Sequence, residues 1–165
     1  MNKKRIAVAF TGPSNSGKTT LIVKISTLLQ EQNYKVAIIK HDPKDKAKFD
    51  KEGKDSFKFS QTGAQVAVVS PNKTTIFKKE TSTIDTIIES FGDFDFLLVE
   101  GLKTIPLPRI CVQRDEVNNN YFDVSDSIAT DDSIDKNKFP KEMIILNLNN
   151  PDEIIKWIKE NGKKV

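Results

Sequence analysis

The run Gly12-Pro13-Ser14-Asn15-Ser16-Gly17-Lys18-Thr19 has a glycine, four variable residues, a second glycine, a lysine and a hydroxyl residue. That spacing is suited to phosphate binding. Consecutive backbone N–H groups in such a loop converge on phosphate oxygens, and the following helix adds its positive end. The glycines permit torsions that a side chain would block. Lys18 is placed to bridge β- and γ-phosphates and the Thr19 hydroxyl to ligate Mg²⁺, with Thr20 following as a further nucleotide contact. The expectation is a bound purine nucleoside triphosphate with Mg²⁺.

Such a loop needs a carboxylate close to the metal. Asp95-Phe96-Leu97-Leu98-Val99-Glu100-Gly101 supplies Glu100 after four apolar residues, at the strand end where α/β proteins collect ligands. Glu100 is expected either to hold the Mg²⁺ through water or to orient an attacking water. Gly101 is expected to bring its backbone N–H to the γ-phosphate. Asp95, at the opposite strand end, reads as a cap or surface residue. His41, the only histidine, emerges from another strand C-terminus and precedes Asp42. Asp55 and Ser56 stand at a helix start, where a cap and a phosphate or metal contact are both open.

These residues need strands and helices to position them. Ile6 to Phe10 is a short apolar run ending in glycine and proline, the mark of a strand buried on both faces. Lys18 to Gln32 carries Leu21, Ile22, Ile25, Leu28 and Leu29 on one helical stripe. Strands are expected at 36–39, 66–69, 74–77, 94–99, 110–112 and 143–146. A short helix capped by Asp55 or Ser56 should end at Gly63, and Ser82 should cap a helix bearing Ile84, Ile87, Ile88 and Phe91. Pro151 opens the last helix. The charged stretch 41–54 reads as a mobile loop. Within 115–138, Tyr121 to Val124 is open between strand, hairpin tip and partner-contacting loop. Alternating strands and helices predict one α/β domain over residues 1–165, a three-layer phosphate-loop fold with a mostly parallel sheet.

Composition agrees with a globular chain: 165 residues, 37% hydrophobic, 30% charged, net charge +3. The basic residues are interspersed with acidic ones, which argues against nucleic-acid or membrane partners. Cys111 is the one cysteine and sits in an apolar run, as a buried thiol would. Lys3, Lys4 and Arg5 precede an apolar stretch far too short for a signal sequence. No segment approaches the ~20 apolar residues of a membrane span. A cytoplasmic location is expected.

Several segments together resemble one family. Val36-Ala37-Ile38-Ile39-Lys40-His41, Gly53-Lys54-Asp55-Ser56-Phe57 and Gly63-Ala64 are similar to segments of the molybdopterin-guanine dinucleotide biosynthesis adapter proteins, the MobB family. Leu98-Val99-Glu100-Gly101-Leu102-Lys103, Pro108-Arg109-Ile110, Arg114-Asp115 and Ile128-Ala129-Thr130-Asp131 follow in the same order. The resemblance implies a GTP-binding homodimer with at most weak GTPase activity. Its partner would be the molybdenum cofactor guanylyltransferase, with the molybdopterin cofactor as a further contact. Residues 12–19, Glu100 and Gly101 carry over as nucleotide motifs, and His41, Asp55 and Ser56 as site residues. Two departures stand out: the 42–53 loop lacks the histidines of some relatives, and no asparagine-lysine-x-aspartate guanine motif is present. Asp131 is the candidate to read guanine in its place.

The alternative is a small-molecule kinase using ATP. Such enzymes commonly bring lid arginines to the transferring phosphoryl group, whereas arginine here is confined to Arg5, Arg109 and Arg114. A metal-delivery GTPase would call for cysteine or histidine clusters, and there is one residue of each.

Overall fold

The computed structural model describes residues 5–165, so Lys3 and Lys4 of the basic start lie outside the described residues. The chain forms two compact units, one of residues up to 41 with 93–165, the other of residues 42–92.

The first unit is built on a seven-stranded sheet. Its strands are β1 (Ile6–Thr11), β2 (Val36–Lys40), β5 (Phe96–Glu100), β6 (Arg109–Gln113), β7 (Ser127–Thr130), β8 (Ile144–Asn147) and β9 (Lys163–Lys164). The order is β2-β5-β1-β6-β7-β8, all parallel, with β9 antiparallel to the start of β1. Side chains alternate across the pleat, so Val8, Phe10, Phe96, Leu98, Ile110 and Val112 share one face. There they meet α1 (Lys18–Glu31) through Leu21, Ile22, Ile25 and Leu29, and α4 (Pro151–Asn161) through Ile154, Ile155, Trp157 and Ile158. On the other face Cys111 and Ile128 pack with Ile134 and Phe139, and with the half-buried Tyr121 and Phe122. This opposite layer is made of short 3-10 segments rather than long helices. Tyr121 and Phe122 lie in one of them, Asn119–Val124, so this stretch is neither a strand nor a hairpin tip.

Pro151 occupies the first turn of α4, and Asn150 caps that helix by accepting from the Glu153 N–H at 3.3 Å. Asp95 is buried, and its carboxylate accepts from the Lys35 N–H at 2.8 Å, which ties the start of β5 to the approach into β2. It is therefore neither a helix cap nor a surface residue. Burial pushes the Cys111 thiol up, as expected of an inert apolar site.

The second unit contains α2 (Asp55–Gln61), β3 (Val66–Ser70), β4 (Lys73–Phe77) and α3 (Ile84–Ser90). β3 and β4 form an antiparallel two-stranded sheet of their own, outside the parallel sheet. Two expected caps move. Lys54 occupies the N-cap of α2 without a side-chain bond, so Asp55 is a first-turn acid facing the helix dipole. Thr83, not Ser82, caps α3, its hydroxyl accepting from the Thr86 N–H at 3.2 Å.

Arg109, at the start of β6, is almost fully buried. Its guanidinium donates to the carbonyls of Gly101 (2.9 Å), Leu102 (3.0 Å) and Ile105 (3.1 Å), and its N–H to Asp126 (2.8 Å). Burial pulls its pKa down and Asp126 opposes that, yet an arginine stays charged. The single side chain thus fixes the course of the chain after Glu100. Arg109→Met leaves those three carbonyls without their donor, and we predict a loss of about 2–4 kcal/mol in denaturant unfolding.

Candidate functional site

β1 lies between β5 and β6, and its register decides what surrounds the phosphate loop. Phe10 pairs with Glu100, and Glu100 with Lys40, so β1, β5 and β2 end nearly level. On the other flank Thr11 pairs with Cys111. The loop therefore leaves β1 pressed against β6: a Cβ on Gly12 would stand 2.2 Å from the Val112 carbonyl oxygen, at a φ of +134°. Only glycine fits there. Gly17 (φ +93°) and Asn15 (φ +63°) complete the turn in left-handed conformations, which asparagine tolerates better than most side-chain-bearing residues.

α1 begins directly at Lys18 with no side-chain cap and no acid in its first turn. Its leading N–H groups thus keep the positive end of the helix open to an anion. Lys18 folds back across the loop, its ammonium donating to the carbonyls of Gly12 (3.1 Å) and Pro13 (2.5 Å). Burial lowers its pKa, with Glu100 the main opposing group. The Ser16 hydroxyl is buried and has no hydrogen-bond partner among the described residues, a free donor within a loop built for oxygen acceptors. Thr20 lies exposed in the same first turn.

The Thr19 hydroxyl stands 3.3 Å from both carboxylate oxygens of Glu100. A hydroxyl beside a carboxylate, next to a phosphate loop, is the hard oxygen donor set that suits Mg²⁺. Among the described residues no cluster of three or more His, Cys, Asp or Glu could hold a metal alone. An ion here would share its coordination with phosphate oxygens. The Lys40 ammonium reaches Glu100 at 3.5 Å from a largely exposed position, a weak pair.

Other expected residues fall differently. The Gly101 N–H donates to the Phe10 carbonyl at 2.9 Å, continuing the β1–β5 ladder. It is therefore committed, and the expected approach to a γ-phosphate is corrected. Gly101 is needed for its φ of +89° and because a Cβ would come within 3.1 Å of His41 Cβ. The His41 N–H donates to the Glu100 carbonyl at 2.9 Å, while its side chain is exposed. Asp42 accepts from the N–H groups of Lys46 and Ala47 at 2.6 Å each, shaping its own loop. In the second unit, Asp55 pairs with Lys58 (3.4 Å), and the Ser56 hydroxyl donates to Asp50 (3.0 Å). Both have local partners there.

Asp131, at the end of β7, is engaged on both oxygens. One accepts from the Ser133 N–H (3.1 Å) and hydroxyl (2.5 Å), the other from Arg114 Nε (2.8 Å). Hydrogen bonds from Ser133, then Arg114, hold its carboxyl below the usual range. A free carboxylate waiting for guanine is not what this geometry provides. Arg114 stands in one of the segments that carry the family resemblance, Arg114-Asp115, but has no expected role in the site. A second signal is its place one residue past the end of β6, a strand that neighbours β1.

Residues 7–130 match the model of the family described as molybdopterin guanine dinucleotide synthesis protein B. The chain belongs to that family. It is 30% identical over 131 residues to a putative molybdopterin-guanine dinucleotide biosynthesis adapter protein of Methanocaldococcus jannaschii, covering 76% of this chain and 54% of that one. It is also 30% identical over 133 residues to the adapter protein of Haemophilus influenzae, covering 78% and 74%. The match thus spans about half the length of the first relative. Among solved structures, Bacillus subtilis MobB superimposes with a TM-score of 0.75 at 22% identity, covering 96% of this chain and 98% of that one. At that identity the likeness establishes the fold, an α/β architecture with a mostly parallel sheet. Among the described residues no helix is long and apolar enough to cross a membrane.

Proposed function

We propose that this chain binds GTP with Mg²⁺ and serves as a cytoplasmic adapter to the molybdenum cofactor guanylyltransferase, helping convert molybdopterin cofactor to its guanine dinucleotide form. The observation that carries the nucleotide reading is the Thr19–Glu100 pair beside a phosphate loop whose Ser16 hydroxyl has no partner among the described residues. The adapter role draws on the relatives, which are themselves adapter proteins of molybdopterin-guanine dinucleotide biosynthesis. The preference for guanine rests on the same resemblance.

The loop N–H groups and the α1 N-terminus hold the phosphates, and Lys18 turns from its carbonyl partners to the β- and γ-oxygens. Mg²⁺, held by Thr19 and Glu100, would neutralise phosphate charge. Glu100 is also placed to orient a water toward the γ-phosphate. Arginine is scarce for rapid phosphoryl transfer: Arg5 stacks on Phe94 at 4.6 Å and Arg109 is buried in its clamp, which leaves a single arginine, Arg114, near the loop. This supports a slow GTPase and argues against the kinase reading.

The active form is a homodimer joined through the second unit. Phe49, Phe59, Val69 and Ile76 are 83%, 59%, 77% and 62% exposed there. An isolated two-stranded sheet is marginal in water, and its open edges template pairing with another strand. A second copy offers a matching edge and apolar face.

In calorimetric titrations with Mg²⁺, the wild-type chain should bind GTP in preference to ATP, and folded Lys18→Ala should bind neither. Undiminished GTP binding by that variant would refute the nucleotide reading. Glu100→Gln should retain GTP but hydrolyse it at least tenfold more slowly, about 1.4 kcal/mol of barrier. Normal turnover would remove Glu100 from catalysis. Val69→Asp should sediment as a monomer where the wild type sediments as a dimer, and an unchanged sedimentation coefficient would place the interface elsewhere.

A further inference from the structure

Arg114 is a cation beside the phosphate loop that takes no part in the phosphate and metal contacts proposed for Lys18, Thr19 and Glu100. It follows β6 directly, on the flank of β1 opposite Glu100. Its Nη1, Cζ and Nη2 atoms lie 3.7, 3.8 and 3.9 Å from where a Cβ on Gly17 would be. Three nearly equal distances mean that the guanidinium lies flat over Gly17. Its Nε donates to Asp131, whereas neither Nη has a hydrogen-bond partner among the described residues. The side chain remains 39% exposed.

This is an unfavourable place to hold a cation unless an anion arrives. The positive end of α1 begins at the residue after Gly17, Lys18 brings a second cation to the same loop, and helix N-termini disfavour positive charge. Asp131 offsets only part of this, and it does so from the Nε side. The carboxylate is itself fixed by the Ser133 N–H and hydroxyl, so it cannot follow a wandering guanidinium. The result is an arginine aimed by one edge, with its Nη atoms beside the phosphate loop and bonded to no described residue.

We propose that Arg114 is a nucleotide-binding residue that contacts the phosphate chain from the β6 flank, and that Asp131 is its positioning residue rather than a reader of the guanine base. The inference rests on the nucleotide reading of residues 12–19. The phosphates would then be clasped from two sides, by Lys18 with the Thr19–Glu100 metal pair and by the Arg114 fork. An arginine fork suits phosphate oxygens because it donates two parallel N–H bonds.

The test is calorimetric titration of the full chain with GTP, GDP, GMP and inosine triphosphate in Mg²⁺, with thermal melts in parallel. Arg114→Ala should weaken GTP and GDP by about 10- to 100-fold, the range for a lost charge-assisted contact, while melting close to wild type. Arg114→Lys should recover part of the loss. Asp131→Ala should weaken GTP and inosine triphosphate equally and add little in the Arg114→Ala background. Unchanged GTP affinity in both folded Arg114 variants would overturn the proposal, leaving Arg114 as a tie between β6 and β7. Loss of discrimination between GTP and inosine triphosphate in Asp131→Ala, additive with Arg114→Ala, would overturn it in favour of base reading by Asp131. If the wild-type chain binds none of these nucleotides, the parent reading fails as well. Wild-type binding that Lys18→Ala abolishes and Arg114→Ala spares defeats this inference alone.

Discussion

The parallel pairing of β1 with β5 on one side and β6 on the other sets what flanks the phosphate loop. A one-residue slip would exchange the buried and facing side chains along each strand. In the register observed, Phe10 lies opposite Glu100, and Thr11 opposite Cys111. The first pairing brings a carboxylate to Thr19; the second drives Gly12 against the Val112 carbonyl. The phosphate loop is thus shaped from outside, by the strand beside it, as much as by its own glycines.

The three arginines occupy three physically different environments. Arg5 stacks on Phe94, and Arg109 is buried and bonded to three carbonyls of the segment after Glu100. Arg114 is half exposed, with one nitrogen bonded to Asp131. A buried guanidinium that satisfies several carbonyls stabilises a loop, because removing it strands polar groups away from water. A half-exposed guanidinium with unused donors is available to a ligand. Burial and bonding, not residue type, separate the structural arginine from the candidate binding one.

The second unit has a different balance. It has short helices, a lone hairpin and large apolar side chains left in solvent. Its Asp42, Asp50 and Asp55 carboxylates serve local backbone, hydroxyl and lysine partners. Such a body has little core of its own and gains most by covering its apolar face.

Much of the first unit was legible in the chain itself. Continuous apolar runs at Ile6 to Phe10 and Phe96 to Val99 specify strands buried on both faces, and the loop spacing at Gly12 to Thr19 specifies phosphate chemistry. Both signals are local: backbone torsion and hydrophobic period act over a few residues. Even Glu100 was legible, because a polar residue ending an apolar strand has few places to go. Tertiary structure decided the rest. β7 and the two-residue β9 form through pairing with β6, β8 and β1 and leave too short a pattern to read. The Gly101 N–H belongs to the ladder with Phe10, which no spacing could reveal. Asp131 is bound by Arg114 from 17 residues away, a partnership created by the adjacency of β6 and β7. The phosphate loop was therefore readable from sequence alone, whereas its neighbours depend on which strands lie side by side, and that is set by non-local packing.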